Sequence, residues 1–219
     1  QATLFHLLLY STARVLAEYP RLNRFVAGGR IYQRRGVWLS FSAKTSLDDK
    51  GSIFTRKREF GATETFDESV AALRVGVSEG RSGKVSQADR EVSLLLRLPP
   101  LLLRLAMRFA DLLDAAGLLP RMMVEGDPMY ASAFVANLGS VGIDACYHHN
   151  YEHGNIPIFI TLGRIHKAPV VTAGGEVEAA EVFELKYTYD ERIEDGFYCA
   201  QALERLKEML ENPGGPGPG

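Results

Sequence analysis

The stretch Asp190-Glu191-Arg192-Ile193-Glu194-Asp195-Gly196 places five charged residues among seven, directly between an alternating apolar run and a helical pattern. A turn held by a strand on one side and a helix on the other is rigid enough to aim side chains at a substrate. Carboxylates in such a turn, Asp190, Glu191, Glu194 and Asp195, offer general acid–base chemistry in principle. The plain alternative is a solvated acidic turn. A second cluster, His148-His149-Asn150-Tyr151-Glu152-His153, sets two histidines four residues apart, a spacing that holds a metal when it falls on a helix. Asn150, Gly154, Asn155 and Pro157 make this segment a loop instead, so no metal is assigned. Cys146 and Cys199 form no Cys-x-x-Cys pair and suggest no disulfide framework.

Composition narrows the field. The chain has 219 residues, of which 46% are hydrophobic, enough for one domain with a substantial core. A single domain is expected over 1–213, with a helical insertion over about 89–123 and a flexible Gly/Pro tail over 214–219. A net charge of −2 leaves no electrostatic footprint for nucleic acid. The apolar start, Leu4-Phe5-His6-Leu7-Leu8-Leu9, has neither a basic flank nor a small-residue cleavage site, so it does not read as a signal peptide. Sparse cysteine fits a reducing, cytoplasmic setting.

The elements that would position the acidic turn follow from periodicity. A helix is expected over 2–18, ending at Tyr19-Pro20-Arg21-Leu22-Asn23. Strands are expected over 30–34, 36–43 (Val37, Leu39 and Phe41 on one face), 52–57, 129–137, 156–163 and 181–189. Asp48-Asp49-Lys50-Gly51 reads as a turn. Further helices are expected over 69–77 and 193–210, with a polar loop over 78–88. The segment 89–119 is Leu-rich and is split into two helices by Pro99-Pro100. In the second of these, Arg104, Arg108, Asp111 and Asp114 fall in one narrow stripe beside a broad apolar face. Strands and helices alternate without a βαβ rhythm and without a Gly-rich phosphate loop. The fold class is therefore α+β, a mixed β-sheet flanked by helices in a two-layer sandwich.

Several motifs, in order along the chain, carry a resemblance. Tyr189-Asp190-Glu191-Arg192-Ile193-Glu194-Asp195-Gly196 followed by a helix and Glu211-Asn212-Pro213 resembles the C-terminal signature of the dihydrolipoyl acyltransferase component of 2-oxoacid dehydrogenase complexes. Chloramphenicol acetyltransferases share that fold and motif. Phe134–Gly142 resembles the family's strand and turn ending in Asn-Leu-Gly, Ile160–Ile165 the strand after it, and Pro20-Arg21-Leu22-Asn23 the segment after its first helix. The resemblance implies a chloramphenicol-acetyltransferase-like sandwich, a homotrimer with a channel between subunits, a possible larger hollow assembly, and coenzyme A as cofactor if the chain is active. No lipoyl-lysine motif or peripheral-subunit-binding domain is visible in the sequence.

Two positions depart from the family pattern. The histidine that opens its His-x-x-x-Asp-Gly motif is Glu191 here, and the Ser/Thr that donates to the oxyanion is Ala136; Asp195 and Gly196 are retained. The family's reaction needs a neutral base to take a proton from a thiol or hydroxyl, and a donor to meet the developing negative charge. Imidazole serves at neutral pH, whereas a carboxylate is about two pKa units less basic and brings the wrong sign to an anionic intermediate. The expected function is a trimeric scaffold or assembly subunit without the usual catalysis, a pseudoenzyme. The alternatives are an active coenzyme-A-dependent acyltransferase with Glu191 as base, and a membrane- or lipid-associated module acting through residues 92–119. The Leu-rich segment is also the candidate surface for a protein or lipid partner.

Overall fold

The computed structural model describes residues 2–45, 51–81 and 98–213. Helix α1 (Leu4–Glu18) opens the chain, and a short 3-10 turn over Pro20–Asn23 leads into the hairpin β1 (Arg24–Ala27) and β2 (Arg30–Gln33). Strands β3 (Val37–Lys44) and β4 (Ile53–Phe60) follow, then α2 (Phe66–Arg81). The insertion supplies α3 (Pro100–Ala115) and the one-turn-plus α4 (Arg121–Gly126). Strands β5 (Ala133–Asn137) and β6 (Ile158–Leu162), the hairpin β7 (His166–Val171) and β8 (Val177–Val182), strand β9 (Leu185–Tyr189) and helix α5 (Gly196–Glu211) complete it.

The central sheet is mixed, in the order β4-β3-β5-β6-β9. β3, β5 and β6 run parallel, while β4 and β9 close the two edges antiparallel. Alternation along the strands divides the core in two. Val37, Leu39, Phe41, Val135, Ile158, Ile160 and Leu162 point to one face and pack with Leu8, Leu9, Leu16, Leu73, Ala202 and Leu206 of α1, α2 and α5. On the other face Phe134 and Phe159 stack with ring centroids 4.9 Å apart, beside Trp38, Ala131 and Ile156. His148 of the 143–157 loop lies flat on Phe159, with ring centroids 4.0 Å apart, and covers this part of the face.

The structure revises several expected boundaries. The run 181–189 is two strands. The chain leaves β7 as its partner at Val182 and joins β6 at Leu185, with Glu184 O accepting the Gly163 N–H across the break. Uniform alternation cannot reveal a change of partner. Helix α2 runs to Arg81, into the segment read as loop from its polarity. Helix α5 starts at Gly196 rather than Ile193, because Asp195 caps it. The strand expected over 129–137 begins at Ala133; Met129 N–H bonds to Asp127 Oδ1 instead and turns the chain. β1, β7 and the part of β8 before Glu181 were not anticipated. The helix expected before Pro99, the turn at Asp48–Gly51 up to residue 50, and the tail 214–219 lie outside the described residues. Among the described residues, no helix is long and apolar enough to cross a membrane.

Candidate functional site: the acidic turn and the strand end opposite it

Every charge in the 190–196 turn except one is engaged in holding it. The Asp190 N–H bonds to Pro157 O at 2.9 Å, which ties the turn to the entry of β6. Arg192 donates to both Asp190 carboxylate oxygens, at 2.6 Å from Nη2 and 2.8 Å from Nε, and these bonds hold the Asp190 carboxyl below the usual carboxylate range. Ile193 is 1% exposed and anchors the turn in the core. The Glu194 side chain, only 10% exposed, lies 3.3 Å from both Arg21 and Arg24 and so clips the turn to the segment after α1. Asp195 accepts the Tyr198 N–H at 3.0 Å as the N-cap of α5, where a carboxylate also meets the positive end of the helix dipole. Glu191 is the exception: it is exposed and accepts a hydrogen bond from Tyr189 Oη at 3.4 Å.

Ala136 sits near the end of β5, half-buried at the margin of the Phe134–Phe159 cluster. The hydroxyls adjacent to it in register and in sequence are both committed. Thr161 donates to Cys146 O at 2.6 Å, and Ser140 donates to Asn137 O at 2.8 Å. Gly139 is demanded by packing. A Cβ on Gly139 would lie 2.5 Å from Gly163 O, and one on Gly163 would lie 2.5 Å from Ala145 N. The two glycines let the ends of β5 and β6 and the following loop close on one another.

Strand register separates the two substituted positions. Ala136 lies opposite Thr161, and Thr161 opposite Lys186; Tyr189 lies opposite Ile158. Glu191 is therefore five residues along and two strands across from Ala136, on the order of 15–20 Å away at opposite ends of the sheet. One chain does not bring them together. The groove of about 440 Å³ between α1 and the β3–β4 edge, lined by Asn23, Arg34 and Glu59 among others, includes neither residue.

The histidine loop has a structural account. His153 Nε2 lies 2.8 Å from Asp127 Oδ2, and Tyr130 packs edge-on against the His153 ring. Lys57 Nζ donates to Val124 O at 2.7 Å and Asp127 O at 3.1 Å, at the end of α4. Arg34 donates to Asn155 Oδ1 at 2.6 Å, and Tyr130 lies beside Asp114 of α3. Burial pushes Lys57 down to about 8, with the nearby Arg34 adding to it, and pushes Arg34 down to about 10. Among the described residues no three His, Cys, Asp or Glu side chains converge as a metal site. The Cys199 thiol is buried and pushed up to about 11, which removes it as a nucleophile. This cluster gathers residues from 34, 57, 114, 127, 130 and 153, so no local pattern in the sequence announces it.

The His153–Asp127 pair sets a pH dependence. The hydrogen bond to Asp127 raises His153 above its ordinary value, against burial. Burial opposes the Asp127 charge, but the bonds from His153 and the Met129 N–H outweigh it and lower its pKa. A raised histidine contributes stability that is complete below its unfolded value and lost as pH rises through the folded one; a depressed aspartate loses its contribution on the acid side. The pair contributes fully between roughly pH 4 and 6.5. Thermal melts from roughly pH 5.5 to 7.5 should show wild-type stability falling relative to His153→Gln. Lys57 acts in the opposite sense near and above its value of about 8, outside that window.

Comparison with known proteins first defines the class. The fold is that of the chloramphenicol-acetyltransferase-like acyltransferases. It matches chloramphenicol acetyltransferase with a TM-score of 0.52 at 14% identity over 94% of this chain and 77% of that one. It matches a probable dihydrolipoamide acetyltransferase from Listeria monocytogenes 4b F2365 with a TM-score of 0.67 at 17% identity, over 98% of this chain and 73% of that one. The dihydrolipoamide acetyltransferase of Azotobacter vinelandii gives 0.64 at 18% identity, over 96% and 69%. In that enzyme the roles of a serine, a histidine and an asparagine in the catalytic mechanism were investigated, the last two being four residues apart in its sequence.

The more particular likeness is carried by sequence. Residues 127–215 match the family of 2-oxoacid dehydrogenases acyltransferase (catalytic domain). The lipoamide acyltransferase component of the branched-chain alpha-keto acid dehydrogenase complex of Bacillus subtilis (strain 168) is 24% identical over 213 residues, 96% of this chain. The chain spans 39% of that protein's length. The resemblance read from the motifs thus holds in the family match over 127–215 and in the fold over nearly the whole chain.

Proposed function

We propose that this chain is an acyltransferase-core subunit that has kept the family's scaffold and lost its catalysis, serving as a trimeric assembly subunit. The observation that supports it most is the division of labour in the 190–196 turn. Asp190, Arg192, Glu194 and Asp195 are all spent on structure, and the one position free to face a substrate holds a carboxylate. Glu191 and Asp195 have the same four-residue spacing as the histidine and asparagine investigated in the Azotobacter enzyme, which supports reading Glu191 as the position of the family's base. Ala136, at the position aligned with the family's Ser/Thr, has a methyl group and can donate to no oxyanion.

The strand register supports the assembly reading. Because Ala136 and Glu191 lie at opposite ends of one sheet, a site drawing on both positions must be built between chains. Such a channel can survive as an interface after its chemistry is gone, and coenzyme A loses its role as cosubstrate. The Bacillus relative is itself a component of a dehydrogenase complex. Native mass spectrometry of the intact chain tests this half of the reading. The expected species is a trimer or a multiple of three, and a monomer or a lone dimer overturns it.

A further inference from the structure

Helix α3 has two apolar faces, and among the described residues its own domain covers only one. Leu103, Ala106, Ala110 and Leu113 are half-buried on the inward side, where Asp114 lies beside Tyr130. About a third of a turn away, Leu101, Leu102, Leu105, Phe109 and Leu112 form a ridge over a sector of roughly 100°, with exposures between 51% and 70%. No residue of α3 is fully buried. A contiguous ridge of this kind on a water-soluble surface marks an interaction site.

The charges beside the ridge indicate what covers it. Arg104, Arg108 and Asp111 are all exposed and follow one another along a single edge, basic toward the N-terminus and acidic toward the C-terminus. Neither end of α3 carries the charge that would favour its own dipole: there is no acid in the first turn and no base in the last. A helix lying antiparallel reverses that order. Arg104 and Arg108 of one helix then meet Asp111 of the other, while the two ridges interdigitate. The simplest molecule presenting the matching order is a second copy of this chain, and a self-complementary patch of this kind is what two-fold symmetry requires. An anionic lipid surface would place Asp111 against like charge, and interfacial helices carry bases along the polar face instead.

We infer that α3 is a two-fold self-association surface, pairing antiparallel with α3 of a second copy. The inference goes beyond the assembly reading above and does not need the trimer. With a trimer it produces hexamers or larger closed assemblies, and without one it produces dimers.

Sedimentation equilibrium and native mass spectrometry of the full chain test it. The unmodified chain should show an even-numbered association step. Leu105→Glu, at an exposed position, should weaken that step roughly 100-fold or more, since the apolar contact is lost from both copies at once. Its thermal melt should remain that of the parent. Arg104→Asp with Arg108→Asp should also weaken association, and adding Asp111→Arg should restore it, because antiparallel pairing then reverses every contact together. An association step unaffected by Leu105→Glu overturns the inference, as does failure of the triple charge reversal to restore association. Flotation with phosphatidylcholine–phosphatidylserine vesicles that Leu105→Glu abolishes, with no change in stoichiometry, overturns it in favour of a lipid surface. A trimer lacking any two-fold step refutes this inference and leaves the assembly reading standing; a dimer without threefold multiples does the reverse.

Discussion

Ala136→Ser combined with Glu191→His should raise acyl transfer from acyl-coenzyme A to dihydrolipoamide at least about 100-fold over the unmodified chain. A positioned base contributes about 10²–10⁴-fold and an oxyanion donor about 10²–10³-fold, and groups acting as a unit are strongly non-additive. Each single substitution should therefore gain far less than the pair. The backbone is prepared for both. Asp195 already caps α5 and Arg192 already braces Asp190, so a side chain at 191 leaves a fixed turn. At 136, the neighbouring hydroxyls of Ser140 and Thr161 are bound to carbonyls and do not compete for a new donor's partner. Initial-rate assays of the two singles and the double decide the point. A double variant that folds, assembles and stays silent shows that the channel itself has been remodelled.

Glu194→Ala should destabilise the chain by about 2–4 kcal/mol, whereas Glu191→Ala should change stability by no more than ~0.5 kcal/mol. The contrast rests on burial and partners. The Glu194 carboxylate is 10% exposed and shared by Arg21 and Arg24, and Arg24 Nη1 also reaches Ile193 O at 3.4 Å. Removing it leaves two guanidinium groups gathered around an absent anion. The lower end of the range reflects the partial exposure of both arginines, which solvent screens. Glu191 is exposed, with a long bond from Tyr189. For a chain of this length the Glu194 loss corresponds to a fall in Tm of roughly 5–12 °C, measurable by calorimetry. Equal effects at the two positions would refute the assignment of separate roles.

What the sequence revealed follows from how local each signal was. The β3 face of Val37, Leu39 and Phe41 was legible because alternation and burial coincide there. The acidic turn was legible as a motif, but the helix after it was expected from Ile193, and the Asp195 cap moves its start to Gly196. Glu194 gave no hint of its importance, since Arg24 lies 170 residues earlier in the chain. The Lys57–Asp127–His153 cluster was hidden for the same reason: it ties the insertion to β4 and to the histidine loop, and its members are brought together only by the sheet. The histidines drew attention by spacing, but their surroundings assign them otherwise: His148 stacks on Phe159 and His153 pairs with Asp127. The 181–189 run misled because β8 and β9 continue one alternation while pairing with different strands. The separation of Ala136 from Glu191 could be seen only once strand order and register were known, and it turns two point differences into a statement about assembly.

The most direct test of lost catalysis is an acyl-transfer assay of the unmodified, assembled chain beside Glu191→Gln, with dihydrolipoamide and simple thiol and hydroxyl acceptors. Rates at background for both, indistinguishable from each other, are the predicted result. Turnover by the unmodified chain that vanishes in Glu191→Gln would contradict it and identify the carboxylate as a working base.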